Sequence, residues 1–449
     1  MILLINPKTT KPSEIHKDFF REPNLGILYL AAVLERYNIP VDILDLEQYI
    51  DLSKVELKKI ISDIIVNYKI FGITSLTNTF HIALDIARII KEQDKSSYVI
   101  LGGPHVSFLY KEILEKDYKN EKLIDFICVG ESETSFLELI NHLRIKLEKN
   151  IKIEDFEEDL NSIKRISYIN SKGKFIFTGT LDKLIDVESL PLPARYKLNQ
   201  HNYYYTVANV IINRGCPNQC SFCSRTKLFK NVRIRSINSI LSEIRDIISM
   251  QTYNYINFYD NINIDKVFFK DFCKMFMDNK INIPWGCELR VDNISKTDAK
   301  LLKKAGCQLV ATGIESASKT VLRKNFKFQD PVEVYQGVSN LKEVGIPIQA
   351  YFVLGLPGET EKSFYKTIKF IKTLPLDKND TINYFVATPY PGSRLWEDKR
   401  FNIKIIEENF SKYDCNHIIF ETEELNKITL NKFYLIAKNT EKTFKKRIS

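Results

Sequence analysis

Three closely spaced cysteines are the strongest chemical signal in the 449-residue sequence. Cys216, Cys220 and Cys223 form a C-x3-C-x2-C pattern directly after an apolar run at residues 207–212. Thiolates are the usual protein ligands of iron–sulfur clusters. Three thiolates from one loop can hold three irons of a 4Fe–4S cluster and leave the fourth iron open, as catalytic metals keep an open position. The spacing therefore predicts a metal site with these three cysteines as ligands.

A structural zinc site is the alternative interpretation of the same loop. Structural zinc is held by four protein ligands, and no fourth cysteine lies nearby in the sequence. His201 is the residue that could complete such a site. A zinc-stapled binding protein is therefore an alternative from a different functional class.

Polar and glycine residues follow the strands predicted in the second half of the chain. These strands are predicted at residues 207–212, 255–260, 285–290, 309–315, 348–355 and 382–387, with helices between them. Enzymes with a β/α barrel place their chemistry at the carboxyl ends of the strands. The candidate residues at these ends are Asp260, Arg290, Glu315, Ser316, Gly355, Leu356 and Pro357.

Each of these residues also has a purely structural interpretation. Asp260 can cap a helix, Glu315 can pair with Arg290, and the glycines of residues 355–358 can simply turn the chain. Tyr384 and Tyr390 can line a substrate pocket, as can Tyr413, or be buried tyrosines with ordinary hydrogen bonds.

The first 150 residues alternate short apolar strands with helical segments, which predicts a doubly wound parallel sheet. Ligands of such sheets bind beyond the carboxyl ends of the strands. No G-x-G-x-x-G follows the first strand, so a nicotinamide or flavin dinucleotide is not expected. The candidate binding residues at the strand ends are Asn6, Thr74, Ser75, Thr77, Gly102, Gly103, Pro104, His105, Gly130 and Glu131.

Composition narrows the class of protein. The 65 basic and 56 acidic residues are interspersed, so the net charge of +9 does not predict nucleic-acid binding. Eight cysteines in this length are too few for a disulfide scaffold, and the five outside the loop read as free thiols of a reducing compartment. The longest uncharged apolar run, residues 25–34, is too short to cross a bilayer. We expect a cytoplasmic protein without a transmembrane segment.

The cysteine loop, with Phe222 before its third cysteine, resembles the signature of the radical S-adenosylmethionine (SAM) enzymes. The resemblance covers roughly residues 205–395 and is most specific at residues 313–316 and 354–360. It implies that the open iron binds SAM and that one electron cleaves SAM to a 5′-deoxyadenosyl radical. The implied SAM contacts are Phe222 on the adenine, Glu315 and Ser316 near the ribose, and Gly355, Leu356 and Pro357 near the adenine or amino-acid end. Asp260 is a further predicted SAM contact, with no part of the ligand assigned to it.

Arg290 is assigned a role from its residue type alone. A guanidinium makes bidentate contacts with carboxylates, so Arg290 is predicted to meet the SAM carboxylate.

The first domain resembles the cobalamin-binding domain of one class of radical SAM enzymes. The matching stretches are residues 26–32, 72–74, 101–105 and 129–133. The resemblance implies that the loops cradle the corrin and that hydroxyls such as Thr74, Ser75 and Thr77 hold its nucleotide tail. The D-x-H-x-x-G motif, whose histidine ligates cobalt in the wider fold, is absent from the sequence. Water, a loop atom or nothing would then face the lower side of cobalt, and a sheet without cofactor is the alternative.

The predicted organisation is α/β. It comprises a Rossmann-like cobalamin-binding domain at residues 1–150, a linker with a hairpin at 151–205, a partial (β/α)6 TIM-like radical SAM barrel at 206–396 and a helical region at 397–449.

The predicted function is methylation of an unactivated carbon by a cobalamin-dependent radical SAM enzyme with a 4Fe–4S cluster. Cyclisation or oxidative rearrangement is the alternative within the same class. The expected partners are a small-molecule, lipid or peptide substrate and an electron donor such as flavodoxin or ferredoxin. No residue is predicted to act as a catalytic acid or base.

Overall fold

A computed structural model describes residues 1–8, 21–49, 53–149, 153–181, 183–199 and 204–446. His201, the residue that could complete a zinc site, lies outside this described part. The chain divides into two compact units, Met1–Tyr204 with Leu228–Lys230, and Tyr205–Lys227 with Asn231–Ser449.

The first unit is built on a seven-stranded sheet with the order β2-β1-β3-β4-β5-β6-β7. Strands β1 to β5 are parallel, and β6 and β7 continue the sheet in antiparallel pairing. The strands are β1 Ile2–Asn6, β2 Val41–Asp45, β3 Ile70–Thr74, β4 Tyr98–Gly102, β5 Phe126–Cys128, β6 Ile166–Ile169 and β7 Phe175–Phe177. The helices are α1 Leu25–Arg36, α2 Lys54–Ile65, α3 Phe80–Gln93, α4 Pro104–Asn120, α5 Glu133–Lys149 and α6 Ile153–Leu160.

The order of the five parallel strands places a candidate ligand-binding position between β1 and β3. These strands all run in the same direction, but the order in which the chain adds them to the sheet reverses between β1 and its neighbour β3. Ligands of doubly wound sheets bind at such a switch point, beyond the carboxyl ends of the strands. Continuous burial of β1 and near-continuous burial of β3 agree with helices on both faces. The carboxyl ends of β1, β3, β4 and β5, with the segments that follow them, carry the residues predicted to bind cobalamin.

The second unit is built on a six-stranded parallel sheet with the order β15-β14-β13-β12-β11-β8. Two small antiparallel pairs, β9 with β10 and β16 with β17, accompany it. The strands are β8 Val207–Val210, β9 Asn213–Arg214, β10 Arg233–Ile234, β11 Tyr255–Asn261, β12 Trp285–Glu288, β13 Cys307–Glu315, β14 Ile348–Leu354, β15 Thr381–Val386, β16 Lys404–Ile405 and β17 Phe420–Glu421. The helices are α7 Arg225–Leu228, α8 Ile237–Met250, α9 Lys266–Asp278, α10 Lys296–Lys304, α11 Lys319–Lys324, α12 Pro331–Glu343, α13 Glu361–Thr373, α14 Arg394–Glu397 and α15 Lys427–Lys446.

The predicted α/β class is confirmed, with a doubly wound parallel sheet followed by six parallel strands that alternate with helices. Three local features differ from expectation. The predicted linker hairpin supplies β6 and β7 of the first sheet, because β6 pairs with β5. Helix α4 begins at Pro104, directly after Gly103, whereas the sequence suggested these residues only as candidate binding residues at a strand end. The C-terminal region contains the β16–β17 ribbon as well as α15.

The outer edge of β15 is covered by polar side chains of α15 and by the Cys415 carbonyl. The Tyr384 amide donates to Glu441 Oε1 at 2.6 Å, and Lys438 Nζ donates to the Tyr384 carbonyl at 3.1 Å. The Val386 amide donates to the Cys415 carbonyl at 2.7 Å. Exposed strand edges can pair with other chains, so these contacts complete the sheet on this side.

Among the helices that the structure describes, none has both the length and the apolar character required to pass through a bilayer.

The turn between β4 and α4 requires glycine at one of its two positions. Gly103 has φ +97°, and a Cβ there would lie 2.5 Å from the Ser75 carbonyl oxygen, whereas a Cβ on Gly102 would meet no atom within 4 Å. We predict that Gly103→Ala lowers the free energy of unfolding by about 1–3 kcal/mol because of backbone strain alone, with steric overlap adding to it. Urea unfolding of the full chain measures the effect. Gly102→Ala is the matched control, and an equal loss in both variants would contradict the prediction.

Candidate active site

The cysteine loop is closed at its base by a short strand pair. Asn213 and Arg214 of β9 pair with Ile234 and Arg233 of β10. Gly215 follows with φ +89°, and a Cβ there would lie 2.2 Å from the Asn231 carbonyl oxygen. Glycine is therefore required immediately before the first cysteine.

Asp260 fixes the root of this loop. Its Oδ2 accepts hydrogen bonds from the amides of Ile212 at 2.6 Å and Asn213 at 3.0 Å. Its Oδ1 accepts from Arg225, which also donates to the Asn213 carbonyl at 3.0 Å. Asp260 is buried. The carboxylate predicted to contact SAM therefore accepts its hydrogen bonds from groups of the protein itself. Arg225 had no sequence signal beyond its position two residues after Cys223.

Asn325 connects the cysteine loop with the glycine-rich loop after β14. The Ser221 hydroxyl donates to Asn325 Oδ1 at 2.6 Å, and the Ser221 amide donates to the Asn325 carbonyl at 2.9 Å. Asn325 Nδ2 donates in turn to the Pro357 carbonyl at 2.9 Å. Asn325 is fully buried, and sequence reasoning missed it because it lies in no recognisable motif.

The three thiols are unpaired and differ in exposure. Cys216 and Cys220 are half-buried, Cys223 is exposed, and none forms a disulfide. Burial raises the pKa of Cys220 to about 11, and the neighbouring Lys327 acts against this rise. Iron must therefore displace the proton on binding, since thiolate is the ligating form.

Three cations interact electrostatically with the thiols, and each cation also interacts with a carboxylate. Every pair of the three cysteines shares one cation. Arg225 acts on Cys216 and Cys223, Arg290 on Cys216 and Cys220, and Lys327 on Cys220 and Cys223. Their carboxylate partners are Asp260, Asp292 and Glu315, respectively. The arrangement supplies positive charge where three thiolates would otherwise repel each other.

The two candidate metal centres, a single zinc ion and a cluster, place different demands on the three thiols. Within the described ranges, no three His, Cys, Asp or Glu side chains are arranged to hold one metal ion. Tetrahedral zinc requires sulfurs about 3.8 Å apart, from a Zn–S distance of about 2.3 Å. In a 4Fe–4S cluster each thiolate binds its own iron, so the sulfurs need not converge. Cys216, Cys220 and Cys223 stay the predicted 4Fe–4S ligands.

Glu315 and Lys327 form a nearly buried ion pair at the carboxyl end of β13. Lys327 Nζ lies 3.0 Å from Glu315 Oε1, and their side chains are 11% and 8% exposed. Glu315 has φ +62°, a strained conformation for a residue with a side chain. A Cβ on Gly313 would lie 2.2 Å from Glu315 Oε1, so glycine at this position makes room for the pair.

Ser316 is engaged within the protein. Its hydroxyl lies 3.3 Å from the Thr367 hydroxyl and accepts from the Ser318 amide at 3.1 Å. It is buried. Its predicted contact with the SAM ribose stays a prediction, and its observed contacts stabilise the turn after β13.

Arg290 directs most of its donors to the protein. Its Nε and Nη2 donate to the two Asp292 carboxylate oxygens at 3.2 and 2.6 Å. Nη1 donates to Asn218 Oδ1 at 2.8 Å, within the cysteine loop, and Nη2 also donates to the Phe328 carbonyl. The guanidinium predicted to meet the SAM carboxylate thus holds the cysteine loop from its other side.

Phe222 and Leu356 meet in one apolar cluster. Leu356 is buried in a core that also contains Val321 and Leu395, and Phe222 packs against this core while half-buried. The structure thus brings together two residues predicted to contact the adenine end of SAM. Neither Tyr384 nor Tyr413 lines an open surface, because both are about 1% exposed.

Glu359 closes the glycine-rich loop after β14. Its Oε2 accepts from the Gly355 amide at 2.6 Å. Burial raises the pKa of Glu359 to about 7, although the Gly355 hydrogen bond works in the other direction. Gly355 itself has φ +80°, so the predicted SAM loop depends on a glycine conformation and one buried acid.

The residues predicted to bind cobalamin meet at the carboxyl edge of the first sheet. Some of them make hydrogen bonds within the protein. Asn6 donates to Asp45 at 2.8 Å, and the Ser75 hydroxyl donates to the Gly102 carbonyl at 3.2 Å. Gly102 leaves open space where a side chain would stand. Thr74 and Pro104 are half-buried. This edge therefore offers backbone and hydroxyl groups beside free space, which fits a large planar ligand.

His105 stands in the same edge as a neutral imidazole. Burial lowers its pKa to about 4. Its Nδ1 lies 3.3 Å from the Thr77 hydroxyl, and its ring packs on Phe80 with centroids 4.4 Å apart.

Hydrogen bonds also fix the loop after β5. The Gly130 amide donates to the Ser107 hydroxyl at 2.8 Å. The Glu131 carbonyl accepts from Arg165 at 2.8 Å.

Two family models match the chain in the order of its two units. The B12 binding domain matches residues 16–140, and the Radical SAM superfamily matches residues 210–371. The chain is therefore a radical SAM protein that carries a B12-binding domain. It belongs to the cobalamin-dependent radical SAM enzymes, whose cofactors are a 4Fe–4S cluster, SAM and cobalamin.

Relatives and solved structures agree with this assignment. The chain is 29% identical over 430 residues to the uncharacterized methyltransferase PH0819 of Pyrococcus horikoshii, covering 92% of this chain and 87% of the relative. It is 28% identical over 403 residues to the anaerobic magnesium-protoporphyrin IX monomethyl ester cyclase of Rubrivivax gelatinosus, covering 87% and 68%.

Two solved structures show the same fold. The radical SAM methyltransferase TsrM from Kitasatospora setae, with cobalamin and a [4Fe-4S] cluster bound, superposes with a TM-score of 0.73 at 13% identity, covering 99% of this chain and 88% of that one. The cobalamin-dependent radical enzyme OxsB superposes with a TM-score of 0.66 at 18% identity. The superposition covers 89% of this chain and 55% of OxsB.

We predict that Asp260→Asn weakens retention of the cluster. An amide in place of the carboxylate would point an N–H at Arg225 or at a backbone amide, so the loop root would lose a contact. Outer residues of this kind change metal affinity by about 10- to 100-fold. Iron and sulfide content after anaerobic reconstitution and a chelator challenge measures the effect. Asp271→Asn, at an exposed site 3.9 Å from Lys274, is the control, and equal retention in both variants would argue against the prediction.

We predict that Glu359 makes stability fall as pH rises. Its pKa is about 7 in the folded chain and 4.5 when unperturbed, so the folded state holds more protons between these values. Stability is then lost as pH rises through this window and stays reduced above it. From about pH 5.5 to about pH 8.5, the wild type should lose on the order of 2 kcal/mol more than Glu359→Gln. Urea unfolding at both pH values measures this, and parallel pH profiles would refute it.

Proposed function

We propose that the protein methylates an unactivated carbon of a small-molecule substrate. The observation that carries this proposal is a three-thiol loop in the second unit of a chain whose first unit is a B12-binding domain. The loop has the donor set of a cluster with one open iron, and cobalamin is a carrier of methyl groups. Support comes from PH0819, which bears the name methyltransferase and aligns along nearly the whole chain.

The cofactors would supply radical and methyl-transfer chemistry. For each methyl group, two SAM molecules and two electrons would be consumed. One SAM would give methionine and 5′-deoxyadenosine, which takes up the substrate hydrogen. The other would give the methyl group and leave as S-adenosylhomocysteine. The electrons require a donor of low potential, such as a flavodoxin or ferredoxin.

The protein's own residues would bind and position these groups. Cys216, Cys220 and Cys223 would hold three irons, and Asp260 and Asn325 would keep the loop in register with the glycine-rich loop. Phe222 would offer an apolar face to the adenine, next to Leu356. The remaining predicted SAM contacts, Ser316 and residues 355–357, would act through hydroxyl and backbone groups.

Ring formation is the second candidate reaction. It is favoured by the alignment of 87% of the chain with a relative that is named a monomethyl ester cyclase. Product analysis separates the two reactions, since methylation adds one methylene unit to the substrate and generates S-adenosylhomocysteine. A cyclase would form 5′-deoxyadenosine without a methylated product.

We place this reaction in the reducing cytoplasm, because the described cysteines are all free thiols. The substrate we propose is not a nucleic acid, since the basic residues are interspersed with acidic ones along the sequence.

We predict that Cys216→Ala, Cys220→Ala and Cys223→Ala each abolish reductive cleavage of SAM. Loss of one thiolate removes an iron ligand, so the cluster can no longer form with a single open iron. The measurement is 5′-deoxyadenosine formed by reconstituted enzyme with dithionite. Cys128→Ala, at a buried thiol of the first sheet, should retain cleavage, and continued cleavage in any of the three loop variants would rule out the assignment.

A further inference from the structure

Two neighbouring helices of the second unit carry most of the net charge of the chain. Helix α13 contains four lysines and one acidic residue, and α15 contains six lysines and one acidic residue. Their combined net charge is therefore +8, whereas the whole chain has +9. The two helices pack against each other, with the rings of Phe364 and Phe433 stacked 4.1 Å apart. A concentration of charge of one sign attracts a partner of the opposite sign.

Several of these lysines are not used within the protein. In the described part of the chain, the ion pairs of the two helices are Lys432 with Glu361 and Lys438 with Glu441. The exposed lysines outside these pairs include Lys362, Lys366, Lys369, Lys372 and Lys442. Their charge is therefore available to a partner.

A cavity of about 850 Å³ lies between the same two helices and the segment that leads into β15. Lys372 and Lys378 contribute to its lining, and Asp377, the one acidic group among the described residues that line it, pairs with Lys342 at 2.8 Å. The apolar side chains of the lining are Ile371, Leu374, Leu376, Ile382, Ile436 and Phe444. An apolar space beside lysines fits a molecule with an anionic head and a hydrocarbon chain, because lysine keeps its charge at the rim of apolar surroundings.

The outer face of α15 adds exposed apolar side chains to the lysines. Ile428 is 81% exposed, Leu435 is 64% exposed, and Tyr365 on α13 is 43% exposed. Ile428, Lys432 and Leu435 follow each other at intervals of four and three residues, so they lie on one face of the helix. Lysine next to large apolar residues on an exposed helix face is typical of helices that lie on a membrane surface.

A nucleic acid explains these features less well than a lipid surface. Neither helix contains an arginine, the residue that makes bidentate contacts with phosphate. Binding to a phosphate backbone is electrostatic, so exposed Leu435 and Ile428 would add nothing to it. At a membrane, by contrast, the lysines meet the headgroups while the apolar side chains reach the boundary of the acyl chains.

We propose that α13 and α15 form a docking surface for a membrane that contains anionic lipids. The lysines of both helices would contact lipid phosphates, Leu435 and Ile428 would enter the headgroup region, and the cavity would accept part of an acyl chain. The cavity lies beside the amino end of β15, whereas the candidate active site lies at the carboxyl ends of the strands. The surface would therefore hold the protein at a membrane without occupying that site, and the inference does not depend on the proposed reaction.

Vesicle sedimentation with the reconstituted, anaerobic full chain tests this proposal. The wild type should bind vesicles of phosphatidylcholine mixed with phosphatidylglycerol, and it should not bind vesicles of phosphatidylcholine alone. Each lysine near an anionic surface strengthens binding about fivefold. The triple variant Lys366→Gln/Lys369→Gln/Lys372→Gln should therefore bind the mixed vesicles about 100-fold more weakly. Leu435→Asn should weaken binding on the order of fivefold, because less apolar surface leaves water.

A second triple variant separates the location of the charge from its amount. Lys270→Gln, Lys300→Gln and Lys304→Gln together remove the same charge from exposed positions on α9 and α10. This variant should bind the mixed vesicles like the wild type. Binding is measured without substrate, so its result is independent of the reaction that the enzyme catalyses.

Several results would overturn the proposal. These are no binding of the mixed vesicles by the wild type, an equal loss in the two triple variants, and an unchanged affinity of Leu435→Asn, which would reduce the contact to attraction between charges. Polyuridylic acid is the competing probe. Tighter binding of this polymer than of the vesicles, with the same loss in the α13 variant, would assign the surface to nucleic acid instead.

Discussion

The compensation of charge around three thiols is the constraint on which the second unit depends. Three thiolates in one short loop repel each other, and burial adds a cost for each charge. Arg225, Arg290 and Lys327 offset both costs, because each interacts electrostatically with two of the cysteines and forms an ion pair with its own carboxylate. Because every cation is paired, the loop gains local positive charge without a large net charge in the interior.

A few buried polar side chains hold together loops that are far apart in sequence. Asp260 fixes the root of the cysteine loop from β11, and Asn325 bonds to both Ser221 and the Pro357 carbonyl. Such bonds are costly to break when they are buried. The strands thus set the positions of the residues predicted to bind the cofactors. The buried hydrogen bonds also restrict the loops that carry these residues.

The sequence was sufficient to predict the cysteine ligands and the parallel strands, because both depend on local signals. These signals are the fixed spacing of the cysteines and the apolar runs of the strands. It placed Asp260 and Ser316 at strand ends but could not tell that their oxygens face protein donors, since that depends on which groups lie across the fold. Asn325, Arg225 and Lys327 were missed for the same reason. Helix α4 was missed although Pro104, a residue favoured in the first helical turn, marks its start.

The contacts between β15 and α15 have a practical consequence for dividing the chain. The superfamily match ends at residue 371, before β15 begins at Thr381. A fragment cut at that limit would present the bare border of β14 to solvent. A cut after β15 but before Lys438 and Glu441 would leave Tyr384 without its amide and carbonyl partners. Either fragment would be prone to intermolecular strand pairing and precipitation. Helix α15 is therefore a necessary part of any soluble fragment that contains the second sheet.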